Sequence, residues 1–508
     1  MTARWSLEDV DLVKLDILAS RLAQFLEPGD VVALSGPLGA GKTTLARALV
    51  TRLGGEDEVP SPTFALMQRY ETPRLVLTHC DLYRLGPAEL DELGLDDALS
   101  EGAVIIEWPE RTADWLPSDR LDIAMDETAT PHARRIVLTG HGGWASKLDR
   151  LRAMEAFLDR TPYAEAGAHY LQGDASTRSY ARLVSPHRNA ILMNAPRQPD
   201  GPPIRDGKPY SALVHLAEDV TPFVAVAGAL RERGLAAPAI YAFDLDRGFL
   251  ILEDLGDRAF GGEVAGGRPL KELWAPAVDV LVELAREEPP EFLPIEGQTG
   301  YRLPSYDAEA MLTEVSLLID WFWPTLHGKD MPPALAEEFK SLWRRLLEEA
   351  ANADSGWVLR DYHSPNLMWL PEREGLKRVG ILDFQDALRG PLAYDLVSLL
   401  QDARLDVPEA LERELLARYC AARGAQSQHF SSEQFVSLYA TLGAQRNSKI
   451  LGIFARLAKR DGKRGYLAHI PRVARYLERD LAHPALAGIR RFYAQEFPAT
   501  QNLPPIAV

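Results

Sequence analysis

Cysteine is nearly missing from this chain: Cys80 and Cys420 are the only two among 508 residues, and they lie far apart. That excludes a disulfide framework and any cysteine-rich metal site. Positive charge is also in short supply. Against 73 acidic residues stand 56 lysines and arginines, a formal net charge of −17. Such a balance argues against a broad electropositive face for gripping nucleic acid. Any role in an RNA pathway is therefore expected to run through partner proteins or nucleotide turnover. No stretch approaches the about 18 uninterrupted apolar residues that a membrane helix needs. The opening MTARWSLEDVDLVK turns acidic early and has no apolar core, so it does not read as a signal peptide. The expectation is a cytoplasmic protein with no membrane contact.

What is present is ordinary for a globular chain, 46% hydrophobic and 25% charged, at a length too great for one core. Up to about residue 145 short apolar runs alternate with helical patterns, as in an α/β domain. VVALSG (31–36), LVLTHCD (75–81) and AVIIEW (103–108) read as buried strands, LDIAMD (121–126) and RRIVLTG (134–140) as two more, and TLARALVTRLG (44–54) as a helix. The pattern turns helical at LDRLRAMEAFLDR (148–160), which places a domain boundary near residue 147. A small β-rich lobe is expected over about 148–255, with YARLVS, NAILMNAP and GFLILEDLG as strands, and a mainly helical lobe over about 256–508. The Pro/Gly-rich stretch 196–211 reads as a mobile loop.

Gly36-Pro37-Leu38-Gly39-Ala40-Gly41-Lys42-Thr43 matches the P-loop pattern GxxxxGK[ST] between a predicted strand and a predicted helix. Glycines let backbone N–H groups turn inward onto phosphate oxygens, and the following helix N-terminus adds its dipole. Lys42 would reach the β and γ phosphates, the Thr43 hydroxyl would ligate magnesium, and Thr44 would sit on the nucleotide beside them. Such a site also needs an acid near the metal and a group to place the attacking water. Asp81 and Glu107 end or closely follow predicted strands, where a P-loop sheet faces its nucleotide.

With Ser61-Pro62-Thr63-Phe64, His79-Cys80-Asp81-Leu82-Tyr83-Arg84 and Ile106-Glu107-Trp108-Pro109, this segment closely resembles TsaE. That family is the ATPase subunit of the bacterial machinery making threonylcarbamoyladenosine on tRNA. The resemblance implies MgATP held by Lys42 and Thr43, Glu107 acting on magnesium or its water, and Asp81 assisting. It makes Thr63 a switch-type residue, sets Trp108 near the nucleotide, and brings Arg134 or Arg135 toward the phosphates. The implied partners are TsaB- and TsaD-like proteins. Cys80 stands where an aromatic residue is common, a packing change.

In the rear half, Arg360-Asp361-Tyr362-His363-Ser364-Pro365-Asn366 precedes a strand-like LMWL, and Asp383-Phe384-Gln385 follows the apolar VGIL. This is the spacing of kinase-type phosphoryl transfer: an Asp to deprotonate the acceptor hydroxyl, an Asn and a later Asp on magnesium. Gly173-Asp174-Ala175-Ser176-Thr177-Arg178 lies where a phosphate-covering loop belongs.

The set resembles the aminoglycoside phosphotransferase and choline kinase superfamily. Within it, GDASTRSYARL, ILMNAP, GFLILEDLGD, LPSYD, RDYHSPNLMWL, ILDFQDALRGPLAYDLVSLLQDAR and QRNSKILGIFARL look like AmgK. Those kinases phosphorylate the anomeric hydroxyl of N-acetylmuramate and N-acetylglucosamine. The resemblance makes Asp361 the catalytic base and Asn366 and Asp383 the magnesium ligands. It puts Glu253-Asp254 at the lobe hinge, where backbone meets adenine. Asp386 and Asp395 would brace the loops or touch substrate, and Tyr306 and Asp307 would bind sugar or serve structure. Leu359 replaces the usual catalytic-loop His, whose work is loop packing. Met193 and Asn194 stand where the phosphate-pairing Lys is expected. Either the rear half is a pseudokinase that senses nucleotide or sugar, or another cation does that work. Arg178 and Arg182 are the candidates. A kinase for another small hydroxyl compound is the enzymatic alternative.

The expected architecture is thus an α/β P-loop NTPase domain over 1–147, then a two-lobed, protein-kinase-like (α+β) phosphotransferase domain over 148–508. Each would use ATP with Mg2+.

Overall fold

The computed structural model describes residues 1–54, 66–84, 93–112, 115–171, 178–186, 188–199 and 201–497. In chain order its first elements are β1 (Thr2–Val10), α1 (Leu12–Leu22), β2 (Val31–Ser35), α2 (Lys42–Arg52), β3 (Met67–Glu71), β4 (Val76–Asp81), α3 (Leu95–Glu101), β5 (Gly102–Glu107), β6 (Arg120–Glu127), β7 (Arg134–His141) and α4 (Gly143–Leu158). The strands form one sheet in the order β1-β7-β6-β2-β5-β4-β3. Its centre, β6-β2-β5-β4, is parallel; β7 and β3 flank it antiparallel, and β1 pairs antiparallel with β7 at the edge. β2 and β5 are buried along nearly their whole length, which is why they read as continuous apolar runs and not as alternation. β1 was not legible: TARWSLEDV alternates exposed and half-buried residues at a sheet edge.

Three further strands, β8 (Gly167–Leu171), β9 (Ser179–Val184) and β10 (Ala190–Asn194), join Ile240–Asp244 and Phe249–Glu253 in a five-stranded antiparallel sheet. Both sheets fall in one compact unit, Met1–Pro196 with Ile240–Asp254, while Arg197–Ala239 and Leu255–Val508 make the other. Residue 147 lies within α4, whose Leu148, Leu151, Met154, Phe157 and Leu158 belong to a core cluster running from Ala3 to Ile251.

The second unit is mainly helical. Its longest helix, Ser432–Asp461, starts where the Ser431 side chain caps the Gln434 N–H and stops at Gly462 with φ of 67°. The stretch 196–211, expected as a mobile loop, contains a short hairpin of Pro203–Arg205 with Lys208–Pro209. It is tied down where Arg205 donates to Thr313 Oγ1 at 2.7 Å and pairs with Glu309. Among the described residues no helix is long and apolar enough to cross a membrane.

Candidate active sites

After β2 the chain turns through Gly36, Gly39 and Gly41, with φ of 136°, 79° and 107°. A Cβ on Gly36 would meet the Met125 carbonyl oxygen at 2.2 Å, so the loop's seat against β6 admits only glycine. α2 begins at Lys42, and its unpaired N–H groups open onto the loop. Asp81 and Glu107 are register partners at the carboxyl ends of the parallel β4 and β5, and both are buried. Thr43 Oγ1 donates to Glu107 Oε2 at 3.0 Å, and His79 Nε2 lies 2.9 Å from Glu107 Oε1.

Lys42 donates to the carbonyls of Gly36 and Pro37 at 2.8 and 2.9 Å and lies 3.8 Å above the Trp108 ring. Burial lowers its pKa, while Glu107, Glu110 and Asp81 pull the other way. Trp108 has φ of 63° and leans on Tyr83, ring centres 4.9 Å apart. A pocket of about 230 Å3 is lined by Gly39, Lys42, Thr43, Thr44, Asp81 and Glu107, with Tyr83 and Trp108 at its side. The oxygens of Thr43, Glu107 and Asp81 are hard donors of the kind Mg2+ prefers, and the lysine rests on neutral acceptors that phosphate can displace. The donor set fits MgATP.

In the second unit, strand Ser355–Val358 pairs with Leu388–Pro391, and Leu367–Trp369 with Val379–Ile381. The segments between them bring three predicted residues together. Asn366 Nδ2 lies 3.0 Å from the Asp361 carbonyl oxygen and 3.4 Å from Asp383 Oδ2, and Gln385 Nε2 holds Asp383 Oδ1 at 2.9 Å. The Asp361 side chain is 47% exposed, with His363 Nε2 at 3.9 Å. Arg360 and Asp383 have φ of 68° and 57°, left-handed values costing non-glycine residues about 1–3 kcal/mol. For Arg360 the restraint is visible. The Asp395 carboxylate accepts from the N–H groups of Leu359 and Arg360 at 2.6 and 2.9 Å. Asp386 likewise accepts from the Ala217 N–H at 2.6 Å.

Below the loop lies a buried polar cluster centred on Glu314. Arg360 and Tyr306 donate to it, as does Lys449 at 2.8 Å. Burial by itself would raise the Glu314 pKa, but Lys449 and Arg360 hold it down at about 2. Asp395, served mainly by backbone N–H groups, is pushed by burial up to about 7.

Residues 11–136 match the family described as threonylcarbamoyl adenosine biosynthesis protein TsaE, and residues 168–433 match the phosphotransferase enzyme family. The rear of the chain is 37% identical over 359 residues to the N-acetylmuramate/N-acetylglucosamine kinase of Caulobacter vibrioides, covering 69% of this chain and 97% of that protein. The front is 43% identical over 107 residues to TsaE of Rickettsia bellii, 21% of this chain and 74% of that protein. It is 42% identical over 139 residues to TsaE of Streptomyces coelicolor, 25% of this chain and 93% of that protein. The chain belongs to both families. It is an enzyme made by fusing a TsaE part to a kinase-like phosphotransferase part, and both families use ATP.

Within the TsaE part, the structure gathers Gly39, Gly41, Lys42, Thr43, Thr44, Asp81, Glu107 and Trp108 at one pocket, with Gly36 seating the loop against Met125, while Thr63 lies outside the described residues. Arg134 braces the loop by donating to the Gly39 and Ala40 carbonyls, both at 3.2 Å, whereas Arg135 pairs with Glu8 at the sheet edge. Cys80 packs in a small core, its thiol pushed up to about 12 by burial. His79 is a site residue to which the sequence reading assigns no role, yet it shares a strand face with Asp81 two residues on, and that period points it at the same site.

In the phosphotransferase part, Arg182, a candidate for the missing lysine's work, forks onto Asp254, with Nε 2.7 Å from Oδ2 and Nη2 3.2 Å from Oδ1. Arg178 directly precedes β9, and residues 172–177 lie outside the described residues. Met193 is buried, and the Asn194 carboxamide oxygen takes Arg150 of α4 at 2.9 and 2.6 Å. Glu253 ends its strand, and the first unit closes at Asp254. Asp307 and Tyr306 are spent on structure, one capping the Ala310 N–H at 2.8 Å, the other bound to Glu314.

Proposed function

We propose that the front part hydrolyses ATP as a subunit of the machinery that forms threonylcarbamoyladenosine on tRNA. The rear part transfers the γ-phosphoryl group of ATP to the anomeric hydroxyl of N-acetylmuramate or N-acetylglucosamine, serving recycling of cell-wall sugars in the cytoplasm. For the front reaction the supporting observation is the Thr43–Glu107–His79 chain at the mouth of the glycine loop. On nucleotide binding Lys42 leaves the Gly36 and Pro37 carbonyls for phosphate oxygens. Thr43 and Glu107 would hold Mg2+ with Asp81 beside them, and His79 fixes the Glu107 carboxylate. Thr44 and Trp108 complete the nucleotide seat, and by the family resemblance Thr63 would be a switch-type residue. TsaB- and TsaD-like proteins are the partners, and tRNA is reached through them.

For the rear reaction the supporting observation is the convergence of Asp361, Asn366 and Asp383. The half-exposed Asp361 carboxylate takes the proton of the acceptor hydroxyl as that oxygen bonds to the γ-phosphorus and the bond to ADP breaks. Asn366 and Asp383 would hold Mg2+, which would offset the phosphate charge. By the family resemblance, Glu253 would meet adenine and Arg178 would meet the phosphates. A second reading, a rear part that binds nucleotide or sugar without transfer, draws on Met193 and Asn194 at the lysine position.

Phosphorus NMR of the full chain with MgATP and N-acetylmuramate decides between them. We expect an anomeric phosphate signal that survives in Lys42→Ala and falls by about 10²–10⁴-fold in Asp361→Asn. Silence with both sugars but not with other hydroxyl compounds would reassign the acceptor. Silence across a broad panel would favour the sensor reading.

A further inference from the structure

The helix Ser432–Asp461 carries five consecutive polar residues into the interior of the second unit, and four of them are paired. Gln445 donates to the Met311 carbonyl at 3.1 Å, and Asn447 to Gln401 at 2.6 Å and Asp480 at 3.0 Å. Ser448 shares a hydrogen bond with Tyr493 at 2.6 Å, and Lys449 reaches Glu314. Arg446 is the exception. It is 5% exposed, and its Nη1 is buried with no hydrogen-bond partner among the described residues.

An unpaired buried guanidinium is an unusual thing to keep. It cannot shed its proton, and among the described residues it forms no ion pair; the opposite charge it feels is the longer-range field of Asp395. Other buried cations of this unit show the ordinary solution: Arg360 and Lys449 share Glu314. Arg446 also stands near the chemistry. The helix beside it, Ala393–Leu400, carries Asp395, which clamps the two N–H groups just before Asp361. The charge of Arg446 is felt at Asp395 and at His363, whose imidazole is lowered first by burial and further by Arg446 and Arg404. His363 in turn stands beside the Asp361 carboxylate.

We propose that Arg446 receives an oxyanion of the bound reactants beside Asp361, the carboxylate of an acidic acceptor sugar being the first source and the transferring phosphoryl group the second. This rests on the sugar-kinase reading above. A guanidinium presents paired N–H groups that match two oxygens of either anion. The free protein leaves Nη1 without a hydrogen-bond partner among the described residues, and the ligand completes it. A carboxylate source would let one residue tell N-acetylmuramate from the neutral N-acetylglucosamine.

The test uses the full chain as wild type, Arg446→Met and Arg446→Lys, with both sugars as probes. A carboxylate source predicts that Arg446→Met lowers the ratio of kcat/KM for N-acetylmuramate over N-acetylglucosamine at least tenfold, chiefly through KM, with partial recovery in Arg446→Lys. A phosphoryl source predicts an equal fall in kcat for both sugars at unchanged KM. In either case the ligand-free Arg446→Met protein melts no lower than wild type, because an uncompensated charge has been removed. Unchanged kinetics, or a lower melting temperature as the sole effect, would overturn the proposal. If the wild-type chain phosphorylates neither sugar, the kinase reading fails on its own. Thermal stabilisation by N-acetylmuramate then decides for Arg446 if it is present in wild type and absent in Arg446→Met, and against it otherwise.

Discussion

At the scale of single residues, the front site depends on how one carboxylate is held. Glu107 is buried at a strand end, accepts from Thr43 and is fixed by His79 on its other oxygen. A buried carboxylate free to rotate would meet the metal in several geometries, so the imidazole acts by orienting it. His79→Phe keeps the bulk and removes the hydrogen bond. We expect ATP turnover to fall by roughly 10–100-fold in a phosphate-release assay, with the far-UV circular dichroism unchanged. An unaltered rate would remove His79 from the site. The glycine loop and both acids were legible, because the P-loop pattern is long and strand-end acids follow buried runs. The pairing of His79 with Glu107 was not, since it joins neighbouring strands brought together only by the parallel register.

At the scale of elements, Glu314 links the helix Ala308–Leu317, the long helix through Lys449 and the catalytic segment through Arg360. Its folded pKa of about 2 lies below the unfolded value of about 4.3. A depressed carboxylate contributes stability that is present above the unfolded pKa and is lost as pH falls through the folded one. Glu314→Gln leaves two buried cations without their counter-charge, at a cost of about 3–5 kcal/mol. We expect that deficit in urea unfolding at pH 6, shrinking steadily between pH 4 and pH 2. A deficit independent of pH would place the loss in packing. Asp361, Asn366 and Asp383 were readable as a spaced triad. Glu314 carried no signal, because its partners come from segments far along the chain. Asp386 and Asp395, left open between bracing and substrate contact, both hold backbone N–H groups.

At the scale of the whole molecule, the compact units do not follow the family matches. α4 buries its apolar side in the core that spans both sheets, with Phe157 stacked on Phe249 at 5.7 Å. Arg150 of the same helix lies 3.7 Å from the Phe249 ring centre while gripping Asn194. On the opposite flank Ser20 Oγ accepts from the Ala168 N–H at 3.0 Å, and Arg52, at the end of α2, lies 3.2 Å from His169 of β8. The sheet that opens the phosphotransferase part is thus packed as an extension of the TsaE part. Phe157→Ala is expected to cost about 3–5 kcal/mol. ATP hydrolysis and phosphoryl transfer should then be lost together, at a lower denaturant concentration than in wild type. Loss of one activity alone would show that the two sheets unfold separately.

The sequence by itself determined the local chemistry: the glycine loop with its lysine and threonine, the strand-end acids and the Asp–Asn–Asp spacing. Each is written in residues near one another in the chain, and each carries a backbone requirement that few residue types meet. Only the tertiary structure decided which charges are paired. It placed His79 on Glu107, Arg182 on Asp254 and two cations on Glu314, left Nη1 of Arg446 without a hydrogen-bond partner among the described residues, and merged two sheets around α4. Those outcomes depend on strand register and helix packing between distant segments, where pairing follows position in space and not order along the chain.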